Sequence, residues 1–144
     1  MNVRIVREEH PDPRDLERLH DAIDSFNVGT TGRDDWGQIT VFARDEDGRL
    51  AGGITGDWWA GWLHVTYLWL EERLRGQGVG RKLLAEAERA ALEKGCRGVF
   101  LESFSFQAPG FYRKLGYREI GRLDDYPPGH AQHYLWKPLG EQSS

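Results

Sequence analysis

Polar and apolar residues alternate at the start of the chain. Val3 and Ile5 mark one side of residues 2–7, which predicts a first strand. Pro13 suits the first turn of a helix. Leu16, Leu19, Ile23 and Phe26 then recur at helical spacing, which predicts a helix to about Phe26. Residues 27–35, with Gly, Thr and Asp, read as a loop or a short broken helix. Residues 38–44 and 50–55 read as strands joined through Asp45-Glu-Asp-Gly48, a hairpin turn in which Gly48 can take positive φ. A turn over 57–61 leads into the aromatic-rich strand 62–70, on which His64, Thr66, Leu68 and Leu70 are expected to share a face. Helix formers fill 81–94 and Gly95 stops them. Residues 98–103 read as a buried strand, parallel to the strand before it because a helix joins the two. A short helix over 109–115 closes at Gly116, and strands over 117–123 and 133–137 end the chain. This order, β-α-β-β-β-α-β-α-β-β, predicts an α+β fold with a mixed, largely antiparallel sheet and flanking helices. One domain is expected over 1–139, with 140–144 as a frayed tail.

The segment between strand 62–70 and the helix after it carries the chemistry. Arg75-Gly-Gln-Gly-Val-Gly80 turns a strand through glycines into a helix start. Such a turn directs free N–H groups and the positive end of the helix dipole at one spot, which suits a phosphate or pyrophosphate. A P-loop would place lysine and a hydroxyl side by side after its last glycine, but Gly80 is followed by Arg81-Lys82-Leu83. A dinucleotide fingerprint needs Gly-x-Gly-x-x-Gly. Gly76, Gly78 and Gly80 are spaced differently, although Glu102 stands where the distant acid would be.

Arg75-Gly-Gln-Gly78-Val-Gly80 satisfies every position of Arg/Gln-x-x-Gly-x-Gly/Ala and resembles the coenzyme A loop of the GNAT superfamily of N-acetyltransferases. About thirty residues later, Gln107-Ala-Pro-Gly-Phe-Tyr112-Arg-Lys-Leu-Gly-Tyr117 resembles that family's short tyrosine-bearing helix and the strand after it. Residues 106–112 also resemble a bacterial subgroup with a Phe-Gln-Ala-x-x-Phe-Tyr motif. The two motifs cover residues 62–123, and the remaining elements fit the same order.

The resemblance implies a GNAT-like sheet whose central parallel strands, 62–70 and 98–103, splay apart to admit acetyl-CoA as co-substrate, with no metal. It implies that pantetheine pairs with the backbone of Leu68 and Leu70. The pyrophosphate would rest on Arg75, Gly76, Gln77, Gly78, Val79, Gly80 and Arg81, with Lys82 adding charge. A side chain at Gly78 or Gly80 is then expected to collide with phosphate. Gln107 stands where relatives carry an Asn that binds pantetheine or caps the helix. Tyr112 matches the general acid toward the thiolate. His64 lies eleven residues before Arg75, on the strand where relatives carry the group that takes the amine proton. Acceptor contacts are expected from Asn27, Trp58 and His130, with Phe26, Trp59, Tyr126 and His133 as further candidates.

The activity implied is N-acetylation of a small-molecule or peptide amine by direct attack in a ternary complex. The alternative is an acyl-CoA-binding sensor of the same fold that has no need of Tyr112. Composition narrows the field. The chain is 39% hydrophobic and 29% charged, a globular balance, and no apolar run reaches the length of a membrane span. A net charge of −4 without a basic cluster argues against nucleic acid. The single cysteine, Cys96, excludes an internal disulfide and fits a reducing cytoplasm. His130 and His133 form one isolated pair, too few for zinc. A homodimer is compatible with the resemblance. The acceptor's identity, the general base and the use of other acyl groups stay open.

Overall fold

The computed structural model describes residues 2–140. The tail expected over 140–144 lies, beyond Gly140, outside the described residues. Two compact units emerge, the first ending at Asp34 and the second beginning at Asp35.

The first unit is one helix, α1 (Pro13–Thr31). Asp12 caps its start, accepting a hydrogen bond from the Arg14 amide at 2.9 Å, and Pro13 fills the first turn. The helix runs past Phe26 and through Gly29, since no proline stands between Asn27 and Thr31. It stops where Gly32 turns left-handed at φ 70°. The strand expected over 2–7 does not form. Alternation says which side chains share a face, but a strand needs a neighbour to pair with, and the described residues of this unit contain no other strand.

The second unit is a six-stranded sheet, in order β1-β2-β3-β4-β6-β5. Its strands are β1 (Trp36–Arg44), β2 (Leu50–Trp59), β3 (Trp62–Leu70), β4 (Gly98–Phe104), β5 (Arg118–Asp124) and β6 (Ala131–Pro138). Helix α2 (Val79–Glu93) joins β3 to β4, and α3 (Pro109–Lys114) joins β4 to β5. Among the described residues only β3 and β4 run parallel; every other pairing is antiparallel. Strand β2 is longer than its sequence pattern suggests. Its Gly52-Gly53 pair and Trp58-Trp59 stay in register with β3, so the turn shrinks to Ala60-Gly61.

The core lies on the α2 side of the sheet. Leu83, Leu84, Ala87 and Ala91 of α2 pack over Ile54, Leu63, Val65, Val99, Leu101 and Leu135. Two features of β3 position the site. Its pairing with β4 covers only Trp62–Val65 against Gly98–Leu101, so the two strands part beyond Val65. Thr66 is also an extra residue: Gly56 pairs with Val65 and Thr55 with Tyr67. This bulge reverses the alternation. Leu68 and Leu70 therefore join Leu63 and Val65 on the core side, whereas His64 faces the other way. The single face expected for His64, Thr66, Leu68 and Leu70 is thus divided at Thr66.

Candidate active site

The gap between β3 and β4 is the centre of the site. From Tyr67 to Leu70, β3 is paired with β2 on one edge and has no β4 partner on the other. The backbone of Leu68 and Leu70 therefore borders an opening, on the segment expected to receive an extended substrate arm. Beyond Leu70 a 3-10 turn (Glu72–Leu74) carries the chain into the glycine loop.

Gly76 and Gly78 are left-handed, at φ 75° and 83°. Gly78 is the N-cap of α2, with no side chain closing the helix start. A helix start leaves its first amides without intrahelical acceptors, so those of Val79, Gly80 and Arg81 are available. Among the described residues, no carboxylate lies within ion-pair distance of Arg75, Arg81 or Lys82. Unpaired positive charge and free amides thus converge on one turn, which fits a diphosphate. A Cβ at Gly76 would meet nothing within 4 Å, and one at Gly78 only Arg81 Nη2 at 3.9 Å. Gly80 differs: its Cβ would lie 3.4 Å from Phe111 and 3.5 Å from Leu70. A methyl there would pack against these core side chains at ordinary contact distance.

Two loop side chains are engaged with the protein itself. Arg75 Nε donates to Leu70 O at 3.3 Å, and Gln77 Nε2 donates to Arg73 O at 2.7 Å. Both brace the turn. Gln107 is similarly occupied, its Oε1 accepting from the Phe104 amide at 2.8 Å. The buried Ser103, which sequence reasoning missed, accepts from the Ala108 amide at 3.4 Å and helps to seat α3.

Tyr112 stands on α3, buried on the α2 side between Phe111 and Tyr117, with ring centroids at 5.1 and 5.6 Å. Burial pushes its phenol up from 10.0 to about 12, so it stays protonated and can only donate near neutrality. His64 faces the opposite side of the sheet. Its Nε2 lies 2.8 Å from Glu102 Oε2, and its ring stacks on Phe100 at 4.5 Å. Tyr112 and His64 therefore lie on opposite faces of the sheet, Tyr112 in the core on the α2 side and His64 on the other face. Glu102 escaped sequence reasoning as a partner of His64, because only the meeting of β3 with β4 brings residues 38 apart together.

The remaining candidates sit on different elements. His130 lies edge-on to Phe106 at 5.0 Å, beside the Phe104–Phe106 stack and Tyr126. These aromatics continue the face that bears Phe100 and Glu102. Trp58 sits on the core side with Lys94 over its ring at 6.0 Å, away from His64. His133 bonds to Glu119, which Arg113 of α3 also holds at 2.6 Å. Asn27 belongs to α1, its carbonyl accepting from Thr31 Oγ1 at 2.7 Å. Cys96 is buried, and burial first, then Asp35, pushes its thiol up, the opposite of what a nucleophile needs.

Comparison with known proteins agrees with this geometry. The family model described as "Acetyltransferase (GNAT) family" matches residues 3–117. The blasticidin-S acetyltransferase of Streptomyces morookaense is 48% identical over 69% of this chain and 74% of its own length. Acetyltransferase Atu2258 of Agrobacterium fabrum is 32% identical over 83% of this chain and 87% of its own. The crystal structure of an acetyltransferase from Bacillus cereus superposes with a TM-score of 0.85 at 38% identity, covering 93% of this chain and 98% of that one.

Proposed function

The chain belongs to the acetyltransferase (GNAT) family and is an acyltransferase. From that premise we propose that it moves an acetyl group from acetyl-CoA to an amine by direct attack in a ternary complex. The observation that carries this reading is the open edge of β3 after Val65, running into a glycine turn with free amides. An extended pantetheine arm can pair with the backbone of Leu68 and Leu70, and the diphosphate can rest on the amides from Gly76 to Arg81.

The protein's part is placement and proton transfer. The amine nitrogen bonds to the acetyl carbon as the carbon–sulfur bond breaks. His64, on one side of the gap, takes the proton that the amine loses. Tyr112, on the other, gives its proton to the departing sulfur. Cys96, buried with a raised thiol, is unsuited to carry the acyl group, which favours direct attack over a relay.

For the acceptor we favour an amine-bearing antibiotic, and the similarity to the blasticidin-S acetyltransferase makes blasticidin S the first to test. The aromatic surface of Phe104, Phe106, Tyr126 and His130 offers a wall for such a molecule. The test is thiol release from acetyl-CoA in the presence of a panel of amines that includes blasticidin S. Release that depends on the amine is expected; acetyl-CoA binding with no release for any amine overturns the reading.

A further inference from the structure

Where β3 and β4 part, side chains from the two strands meet. Both Glu102 oxygens converge on one ring nitrogen of His64, at 2.8 and 3.0 Å from Nε2. Phe100, two residues before Glu102 on the same strand, stacks on the imidazole with the planes only 2° apart. One strand thus fixes both the plane of the ring and its rotation. The side chains of His64 and Glu102 are 38% and 30% exposed, so this ion pair does little for stability. A carboxylate can only accept, so the hydrogen sits on Nε2 and the lone pair of the neutral ring sits on Nδ1.

We propose that Glu102 is a positioning residue that holds His64 in the Nε2–H tautomer and makes Nδ1 the atom that takes the amine proton. This rests on the reading of His64 as proton acceptor. As the carbon–nitrogen bond forms, the proton passes from the amine to Nδ1. The resulting imidazolium keeps its Nε2–H on Glu102, whose charge stabilises it, and later gives the Nδ1 proton to water. Carboxylates orient catalytic histidines in this way on unrelated folds. The other titratable groups on this face near the pair are Asp57, the β2 partner of His64, Tyr67 beyond the bulge, and Tyr134, the β6 partner of Glu102; Arg118 lies over Trp136, the β6 partner of Phe100, and Tyr126 and His130 lie beyond Phe104. Tyr134 donates to Gln132 Oε1 at 2.7 Å, which leaves Asp57 as the neighbouring carboxylate to control for.

The experiment measures kcat/KM against pH for the wild type, Glu102→Gln, Asp57→Asn, His64→Ala and the Glu102→Gln/His64→Ala double variant. It uses acetyl-CoA with the amine that gives the greatest thiol release, and adds nitrogen-15 spectra of the His64 ring. Glu102→Gln is expected to lose at least tenfold in kcat/KM, since the ring has lost the carboxylate that fixes its tautomer and rotation. The acetyl-CoA dissociation constant is expected to stay unchanged, and the double variant to be no slower than His64→Ala. The spectra should show the Nε2–H tautomer in the wild type and its loss in Glu102→Gln, while Asp57→Asn keeps both the tautomer and the wild-type profile. A Glu102→Gln profile that superimposes on the wild type, an unchanged tautomer, or additive losses in the double variant overturns the inference. If His64→Ala loses the acidic limb of the profile while Glu102→Gln keeps the wild-type rate and tautomer, the inference alone falls. If His64→Ala keeps the limb, the proton-acceptor reading falls and takes the inference with it.

Discussion

Gly56 lies directly against the backbone of His64: a Cβ at Gly56 would stand 2.3 Å from the His64 carbonyl oxygen and 2.9 Å from Val65 Cα. The contact occurs at the bulge, where β3 carries Thr66 as an extra residue and presses toward β2. The obstruction is backbone, so nothing flexible can swing aside. Gly56→Ala is expected to push β3 away at the residue that bears the imidazole. Overpacking of this kind costs about 1–3 kcal/mol, a fall of roughly 2–12 °C in Tm for a chain of this size. Turnover should fall with it while the acetyl-CoA dissociation constant holds, because the glycine turn lies beyond the end of β3. Calorimetry and steady-state kinetics on one preparation check both parts, and a Tm within a degree of the wild type would refute the steric account.

Tyr112→Phe removes the donor and keeps the packing against Phe111 and Tyr117. Turnover is expected to drop at least tenfold, about 1.4 kcal/mol or more of barrier, with acetyl-CoA affinity nearly unchanged. Single-turnover kinetics beside a binding titration separate the two. Wild-type turnover in this variant would mean that water or another group protonates the sulfur.

Much of this site was legible along the chain because its parts are local. The glycine turn, the helix start and the tyrosine helix are each encoded within a few consecutive residues, and each forms close to where the pattern puts it. The facing of His64 was not legible, because the Thr66 bulge depends on how β2 pairs with β3. The bond to Glu102 was hidden for the same reason: it exists only once β3 and β4 lie side by side. The missing strand at residues 2–7 shows the converse, an alternating segment without a pairing partner. Trp58, an attractive acceptor contact by composition, proves to face the core, since strand parity places it with Leu63.

The glycines of the loop are expected to differ in tolerance. Gly78, at φ 83°, disfavours any side chain and faces the space assigned to the diphosphate, whereas Gly80 has room for a methyl at ordinary contact distance. Gly78→Glu is expected to raise the acetyl-CoA dissociation constant at least a hundredfold, and Gly80→Ala to change it less than threefold. Isothermal titration of the two variants checks the contrast. Normal binding by Gly78→Glu would remove the turn from the site altogether.

The alkaline limit of stability should follow from two buried phenols. Burial pushes Tyr112 from 10.0 to about 12. Tyr117 is pushed higher still, by burial first and then by Glu88, whose carboxylate accepts from its hydroxyl at 2.8 Å and pairs with Lys137 at 3.0 Å. The unfolded chain releases these protons near pH 10, whereas the folded chain holds them. Above pH 10 the unfolded state therefore binds fewer protons, and stability declines as pH rises; below it both states keep the protons and this effect vanishes. The urea midpoint is expected to be flat from pH 8 to 9.5 and to fall between 10 and 12. Phenolate absorbance from these two tyrosines should appear together with unfolding. Tyr117→Phe should flatten part of that alkaline decline while lowering stability at pH 8, because Glu88 loses a donor in a setting where its side chain is only 14% exposed. A decline of the same steepness in the variant and the wild type would show that Tyr117 does not contribute to it.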